Sequence, residues 1–367
     1  MTDTAYNHLL NPNILTLTPY VAGEQPKINN LTKLNTNENP YPPSPKVRQA
    51  IDDALGADGN SLRFYPDPDS RTLTDTIAEY FGVGRDCVFV GNGSDEVLGH
   101  VFRAFFDPAR TIATPDIGYS FYPVYAKLFG LSLQPIALDD EFAVNVADYQ
   151  FADGQDVGGI ILANPNAPTG RALSLDKIVQ LLVQNPHCTV VIDEAYVDFG
   201  AASSVALVAD YPNLVVCQTT SKSRALAGMR VGYAIAQPHL IRALNTVKNC
   251  FNSYPLDRLA QAAAVASFAD EAYFQDRRQA VMDSRAALTQ ALTELGFTVV
   301  PSMANFIFAS HSVIAADVVQ AKLRADGVIV RHFNKPIRIT NHLRISIGND
   351  DENARLIAAL KQIVADM

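Results

Sequence analysis

A lysine, Lys222, lies in a segment made of hydroxyl-bearing and small residues. Residues 219–223 read Thr-Thr-Ser-Lys-Ser, an apolar run from Asn213 to Cys217 precedes them, and Arg230 follows eight positions after the lysine. An amine placed just beyond a buried strand, beside hydroxyls and a guanidinium, is suited to hold an aldehyde cofactor covalently as a Schiff base. Most lysines are solvated surface charges, so this interpretation needs support from further motifs.

A glycine-rich turn supplies a candidate phosphate site. Residues 91–96 read Gly-Asn-Gly-Ser-Asp-Glu, between a strand-like run and a helix-like stretch from Val97 to Phe106. Amides at the start of such a helix face an anion, which makes Gly93, Ser94 and Asp95 candidate phosphate ligands. Position 96 is Glu and no Walker lysine follows, so the turn is not a dinucleotide or nucleotide fingerprint. Taken alone, the motif is equally typical of an ordinary connection between a strand and a helix.

Further polar groups follow other strand-like runs. Asp193 ends one such run, and an ionised carboxylate there would keep a pyridine nitrogen protonated, which turns the ring into an electron sink. Tyr196 could donate to a ring oxygen, and either Tyr119 or Tyr122 could stack on the ring. Arg230 and Ser221 are suited to a phosphate. Together with Lys222, these groups predict pyridoxal 5'-phosphate as the cofactor.

The elements that must position these groups are those of an α/β sheet. Short apolar runs alternate with helix-like stretches between about residues 70 and 236, which is typical of a mainly parallel sheet covered by helices. Ligands bind at the carboxyl ends of such strands, so distant motifs can share one pocket. The strand candidates are Cys87–Val90, Thr111–Thr114, Gly159–Ala163, Thr189–Ile192, Leu214–Cys217 and Val231–Ala236.

The remaining chain predicts an arm and a second domain. The prolines in residues 1–45 favour either a flexible tail or an arm that packs on another part of the protein. Residues 46–255 are predicted to form a large cofactor-binding domain, and residues 256–367 a smaller C-terminal α/β domain. In the last of these, residues 256–295 are typical of a helix and Asp350 opens a closing helix. Strand-like runs lie between them, at Phe297–Val300, Asn305–Ala309 and Leu343–Ile347.

Composition narrows the class of protein. The 367 residues are 48% hydrophobic with a net charge of −9, and no basic face or tail indicates a nucleic-acid partner. The four cysteines are widely spaced, with no C-x-x-C, and the seven histidines form no metal-binding motif. The start of the chain has no signal-like segment, and no apolar run is long enough for a membrane span. We expect a cytoplasmic protein without a metal site.

The ordered motifs resemble those of the fold-type I pyridoxal-phosphate aminotransferases, and within them the histidinol-phosphate aminotransferases. The resemblance runs from about residue 15 to the C-terminus and implies a mainly parallel seven-stranded sheet between helices. The runs that carry it are Leu-Thr-Pro-Tyr at 17–20, Leu-Asn-Thr-Asn-Glu-Asn-Pro at 34–40, Arg-Phe-Tyr-Pro at 63–66, the Lys222 segment to Arg230, and His-Leu-Arg-Ile-Ser-Ile-Gly at 342–348.

The resemblance also implies roles for residues far from the lysine. The residue matching Tyr65 would reach the cofactor phosphate of a neighbouring subunit, which makes a homodimer with shared active sites the expected assembly. Tyr119 would stack on the ring. Residues 1–45 would form an arm over the active site, in which Tyr20 and Asn37 cover the substrate pocket. Arg331 and Arg344 are the candidate ligands for the substrate's phosphate or carboxylate.

One position departs from the family pattern. The loop at 164–170 reads Asn-Pro-Asn-Ala-Pro-Thr-Gly, so Ala167 stands where the family has an asparagine that contacts the ring oxygen. Either Asn166 takes over that contact or Tyr196 makes it alone.

The resemblance implies amino transfer from L-histidinol phosphate to 2-oxoglutarate, in histidine biosynthesis, through a ping-pong cycle on Lys222. An aromatic or broad-range amino-acid aminotransferase and an amino-acid phosphate decarboxylase share the ring-binding residues and stay open as alternatives. A cofactor-binding regulator would need a DNA-binding module, for which the first 45 residues are too short and too proline-broken.

Overall fold

The computed structural model describes residues 4–21, 23–24, 26, 30–152 and 156–366. Within these residues the helices and strands alternate along most of the chain, and the strands form two separate sheets. The α-helices are α1 Pro45–Leu55, α2 Arg71–Phe81, α3 Gly93–Phe105, α4 Tyr122–Phe129, α5 Leu175–Gln184, α6 Pro238–Phe251, α7 Arg258–Phe268, α8 Glu271–Glu294, α9 Ala316–Ala325 and α10 Asp350–Ala365. In the part of the chain described here, no helix combines the length and the apolar character that crossing a bilayer requires.

The larger sheet has seven strands and is mainly parallel. Its strands are β2 Val88–Asn92, β3 Thr111–Pro115, β4 Ser132–Ile136, β5 Val157–Ala163, β6 Thr189–Asp193, β7 Leu214–Thr219 and β8 Val231–Ala236. Their order across the sheet is β2-β8-β7-β6-β5-β3-β4, and β8 is antiparallel to both of its neighbours. Each of the six predicted strands is present within one to two residues of its predicted ends. The central strands are apolar on both faces because helices cover both sides of the sheet.

The smaller sheet has five strands and includes a piece of the N-terminal segment. Its strands are β1 Thr32–Leu34, β9 Phe297–Val300, β10 Phe306–His311, β11 Val328–His332 and β12 Leu343–Ser346. Their order is β1-β11-β12-β10-β9, with β1 parallel to β11 and the other neighbours antiparallel. The segment predicted as an arm therefore contributes an edge strand to this sheet.

The long helix predicted for residues 256–295 is two helices, α7 and α8. Ala269 and Asp270 separate them, and the Asp270 carboxylate accepts a hydrogen bond from Ser44, which precedes α1. Buried residues of α7 belong to the core of the large sheet, whereas those of α8 pack against the small sheet. The change of packing layer thus falls between α7 and α8, although the three-part division of the chain itself stays a prediction.

Candidate active site

One cavity of about 230 Å³ lies between the two sheets and the N-terminal segment. It brings together nine of the residues predicted to form the site. These are Tyr20, Asn37, Ser94, Tyr119, Asp193, Tyr196, Lys222, Arg331 and Arg344. The other predicted residues, Gly93, Asp95, Ser221 and Arg230, lie beside it through direct contacts, whereas Asn166 and Tyr65 point elsewhere.

Lys222 enters the cavity from the loop after β7. Its Nζ donates to the Thr36 carbonyl at 3.2 Å and lies 5.6 Å from the centre of the Tyr196 ring. The loop is fixed from the N-terminal segment, because the Asn39 amide donates to the carbonyls of Lys222 and Ser223, both at 3.0 Å. The Asn39 side chain therefore fixes the backbone of the loop that carries the amine at the cavity wall.

Asp193, the last residue of β6, is a buried carboxylate. It accepts hydrogen bonds from the Tyr122 hydroxyl at 2.9 Å and from the Ala195 amide at 3.3 Å. Burial raises the pKa of Asp193 to about 6, against the effect of the Tyr122 hydrogen bond. No cation forms an ion pair with it among the described residues, so the carboxylate is suited to a protonated nitrogen of a ligand in the cavity.

The start of α3 forms an anion cradle with Arg230. Gly93 has φ +78°, and a Cβ there would lie 2.4 Å from Nη2 of Arg230, so only glycine lets the guanidinium approach the helix terminus. Arg230 contacts the Asp95 carboxylate at 3.3 Å and the Ser221 hydroxyl at 3.5 Å. Its side chain is 41% exposed in this ion pair, which leaves room for an anion beside the first amides of α3.

Tyr119 lies between this cradle and the aromatic side of the cavity. Its hydroxyl donates to Asp95 at 3.0 Å, and burial raises its pKa well above the usual value. The ring packs edge-on against Tyr122 at 5.4 Å between centroids. A neutral phenol with one face on the cavity offers a stacking surface for a flat ring.

The Asn166 amide donates its hydrogen bonds outside the cavity. Its Nδ2 donates to the Ile117 carbonyl and to the Thr169 hydroxyl, both at 3.0 Å, and its side chain is buried. Ala167 lines the cavity in its place. Tyr196 also lines the cavity, so its hydroxyl is a polar group available there where Ala167 offers no amide.

Arg331 and Arg344 are directly opposite each other on the antiparallel strands β11 and β12. Nη2 of Arg344 donates to the Asn35 carbonyl at 2.9 Å, while its buried Nε has no partner within the described residues. Burial, with the charge of Arg331, lowers the pKa of Arg344. No acidic side chain in the described ranges pairs with either guanidinium, so both are available to a ligand anion.

Tyr20 and Tyr65 differ in their surroundings. Tyr20 lines the cavity and packs against Phe121 with ring centroids 5.0 Å apart. Tyr65 is 79% exposed and stacks on Tyr254 at 4.7 Å, away from the cavity of its own chain. The ring of Tyr65 is therefore accessible to another molecule.

Two contacts in the site were missed by sequence reasoning. The Tyr122 hydroxyl reaches Asp193 across 71 positions, and Asn39 reaches the Lys222 loop across 183. Nothing in the sequence around Tyr122 distinguishes it from the neighbouring aromatic residues. Asn39 lies in the Asn-Glu-Asn-Pro run, which was a usable signal because polar residues before a proline in an extended arm need partners elsewhere.

The residues present fit pyridoxal phosphate. The cavity offers an amine for the aldehyde, a buried carboxylate without a cation for the ring nitrogen, and a helix terminus with an arginine for the phosphate. The carboxylate, the amine and the helix terminus lie at the carboxyl ends of β6, β7 and β2, which is the edge where ligands bind in such sheets.

A family model, curated relatives and solved structures all match this chain to aminotransferases. Residues 29–360 match the family described as aminotransferase class I and II. A histidinol-phosphate aminotransferase of Acinetobacter baumannii (strain SDF) is 58% identical over 360 residues, 98% of each chain. Histidinol-phosphate aminotransferase 2 of Burkholderia lata is 53% identical over 349 residues, 95% of this chain and 97% of its own. The crystal structure of histidinol-phosphate aminotransferase from Sinorhizobium meliloti in complex with pyridoxal-5'-phosphate superposes with a TM-score of 0.83, at 25% identity, over 91% of each chain.

These matches cover nearly the whole chain, and the coverage is equally high on the side of the relatives. They confirm the predicted resemblance and the predicted fold class, in which a mainly parallel seven-stranded sheet is joined to a smaller α/β unit. The chain therefore belongs to the class I and II aminotransferases and, within them, to the histidinol-phosphate aminotransferase family.

Proposed function

We propose that this enzyme transfers the amino group of L-histidinol phosphate to 2-oxoglutarate, giving imidazole acetol phosphate and L-glutamate, with pyridoxal 5'-phosphate as cofactor. The observation that carries the proposal is that Lys222, Asp193, Arg331 and Arg344 line the same cavity. The relatives' names and their identity over the whole chain support the same reaction. The absence of a basic surface tail from the sequence agrees with a small-molecule enzyme, and we propose a cytoplasmic location.

The cofactor would be held by residues at three corners of the cavity. Lys222 would bind its aldehyde carbon, Asp193 its ring nitrogen, and Tyr196 its ring oxygen. Gly93, Ser94, Asp95, Ser221 and Arg230 would surround its phosphate, the first three through the start of α3. Bound pyridoxal phosphate supplies an electron-withdrawing ring that accepts the electron pair of the substrate's C–H bond.

Lys222 would also move the proton. Once the substrate amine has displaced it, the Nζ of Lys222 is free to take the proton from the amine-bearing carbon and to return it elsewhere as general base and then acid. The position of its loop, clamped by Asn39, keeps this amine at the cavity wall during both tasks. Asp193, when ionised, would keep the ring nitrogen protonated.

Arg331 and Arg344 would bind the anionic end of each substrate. L-Histidinol phosphate carries a phosphate and 2-oxoglutarate a carboxylate, and both match a pair of guanidinium groups without an acidic partner. The rings of Phe306 and Phe333 lie 5.5 and 5.7 Å from the Arg344 guanidinium and keep its orientation.

We expect Arg344→Gln to lower kcat/KM for L-histidinol phosphate roughly 10- to 100-fold, mainly through KM, because a hydrogen bond between charged groups contributes about 1.5–3 kcal/mol. Steady-state kinetics measure the change. Arg48→Gln is the matched control, since Arg48 is an exposed arginine that pairs with Asp52 on α1 and does not line the cavity. An unchanged KM in Arg344→Gln would show that Arg344 does not bind the substrate.

We propose a homodimer in which Tyr65 contributes to the partner's site. The exposure of Tyr65 and its distance from the cavity of its own chain support an intermolecular role. Tyr65→Ala is expected to lose about tenfold in activity, within the range of a lost hydrogen bond to a charged phosphate. Lys222→Ala is expected to be inactive.

Mixing these two variants tests the assembly. After co-refolding at equal amounts, about half of the dimers are hybrids, each with one site that has both Lys222 and the partner's Tyr65, so activity should rise to roughly a quarter of the wild-type value. No rise on mixing would contradict the shared site. Light scattering gives the oligomeric state of each preparation.

The reaction is tested by spectrum and by substrate. The cofactor-loaded enzyme should absorb visible light, and L-histidinol phosphate should convert that absorbance in the absence of a keto acid. Turnover of L-histidinol phosphate should exceed that of phenylalanine, and threonine phosphate should release no carbon dioxide. Faster turnover of phenylalanine would indicate an aromatic aminotransferase, and carbon dioxide release a decarboxylase.

A further inference from the structure

Asn37 is a buried residue at the junction of three parts of the chain. It is 1% exposed and has φ +56°, a left-handed conformation that asparagine adopts more readily than most residues. It lies three residues after the end of β1, and it contacts β12 through Ser346, the β9–β10 loop through Asn305, and the loop after β6 through Tyr196. Its side chain also lines the cavity.

The hydrogen bonds of Asn37 determine which way its amide points. Its backbone N–H donates to the Ser346 hydroxyl at 2.9 Å, and that hydroxyl donates to Oδ1 of Asn37 at 3.1 Å. If the amide were reversed, both the backbone N–H and Nδ2 of Asn37 would point at the Ser346 hydroxyl. The proton of that hydroxyl would then have no acceptor among the described residues. Nδ2 is therefore the atom that faces Tyr196.

This orientation determines the role of the Tyr196 hydroxyl. Nδ2 of Asn37 donates to the Tyr196 oxygen at 3.0 Å, so the tyrosine accepts there and its own proton must be donated elsewhere. Within the described part of the chain, no acceptor lies within hydrogen-bonding distance of that hydroxyl. The proton is thus directed into the cavity that Tyr196 lines.

We propose that Asn37 is a positioning residue that turns the Tyr196 O–H toward the ring oxygen of the cofactor, a role that rests on the proposed function. Asn37 is held by Ser346 and Asn305 and so has no freedom to present Oδ1 to Tyr196 instead. The arrangement matters in this chain because Ala167 offers no amide to the cavity and Asn166 is engaged with Ile117 and Thr169. Tyr196 then makes the contact with the ring oxygen alone, and its direction is set by Asn37.

The test reverses the hydrogen bond. Asn37→Asp keeps the size of the side chain and tolerates the positive φ, but an ionised carboxylate accepts from Tyr196 and draws its proton out of the cavity. Losing a donor to the ring oxygen favours the form in which the Lys222 nitrogen keeps the proton that it shares with that oxygen. We expect the midpoint of the visible-absorbance pH titration to rise by about one pH unit, and we expect Tyr196→Phe to raise it by a similar amount.

Two further variants make the result specific. Asn37→Gly removes the amide at a conformation glycine adopts freely, and it should raise the midpoint by less than Asn37→Asp, because the hydroxyl is released but not drawn away. Adding Asn37→Asp to Tyr196→Phe should cause no further rise, since both act through one hydroxyl. A midpoint unchanged in both Asn37 variants, or a fully additive double variant, would overturn the inference.

Asn353→Asp is the matched control. Asn353 is likewise buried and bonds the Gly348 backbone through both ends of its amide, at 2.7 and 3.0 Å, but it does not contact Tyr196. It should lower stability and leave the titration midpoint in place. The titration contains no substrate, so an unmoved midpoint in an enzyme that still turns over L-histidinol phosphate contradicts the positioning role alone. A wild-type protein that binds no pyridoxal phosphate contradicts the proposed function.

Discussion

Lys222→Ala is expected to abolish the visible absorbance of the cofactor-loaded enzyme and to lower kcat at least about 10⁴-fold. The variant removes both the amine that binds the cofactor and the general base, and acid–base catalysis alone contributes roughly 10²–10⁴-fold. Spectra taken after incubation with pyridoxal phosphate, followed by transamination assays with L-histidinol phosphate and 2-oxoglutarate, measure the two effects.

Lys177→Ala is the matched control for this variant. Lys177 is an exposed lysine on α5 whose amine contacts only the Gln180 side chain among the described residues, so its loss should change neither absorbance nor turnover. Thermal unfolding of both variants separates loss of chemistry from loss of fold. A Lys222→Ala protein that folds and keeps wild-type turnover would refute the assignment of the lysine.

The predicted strands of the large sheet were found because their sequences differ from their surroundings. Val190, Val191 and Ile192 are completely buried between helix layers, and only a strand covered on both faces has such a continuous apolar run. Strand β4 was missed because it is half-exposed at the edge of the sheet and contains Pro135, which is tolerated only in such a position. Strand β1 has three residues and a lysine, so its pairing with β11 is a tertiary effect.

The site was predictable where a residue type implies its own chemistry. The amine of Lys222, the carboxylate of Asp193 and the guanidinium of Arg230 have few alternatives once they follow strands of one sheet. The residues that orient these groups were not predictable, because their roles depend on contacts between positions far apart in the sequence. Asn37 reaches Tyr196 across 159 positions, and its role follows only from the direction of its hydrogen bonds.

Asp193→Asn is expected to lower transamination by roughly 10³-fold. A neutral amide cannot hold a proton on the ring nitrogen, so the ring withdraws electrons poorly, and electrostatic effects of this kind contribute about 10²–10³-fold or more. Asparagine keeps the size of the side chain and can still accept from Tyr122 through Oδ1. Single-turnover absorbance changes with L-histidinol phosphate measure the loss directly.

The same substitution should stabilise the cofactor-free protein above pH 6. Burial raises the pKa of Asp193 from 3.8 to about 6, so the folded state binds this proton more tightly than the unfolded state. The stability that the protonated carboxyl contributes is complete below pH 3.8 and is lost as the pH rises through 6. This pKa shift corresponds to about 3 kcal/mol of the free energy of unfolding. The wild-type protein loses this stability by pH 8, whereas the neutral asparagine variant keeps it.

Thermal unfolding of both cofactor-free proteins from pH 4 to pH 8 measures this difference. Glu194 is also buried, and its pKa is raised to about 7, but it is present in both proteins and its contribution cancels when they are compared at each pH. The variant should unfold at a higher temperature at pH 8, and the gap should close toward pH 4. A variant that is less stable at pH 8, or a gap that does not change with pH, would show that Asp193 is already compensated without a ligand. The expected result would show that ionised Asp193 destabilises the cofactor-free protein, which is the behaviour of a carboxylate suited to a protonated ring nitrogen of the cofactor.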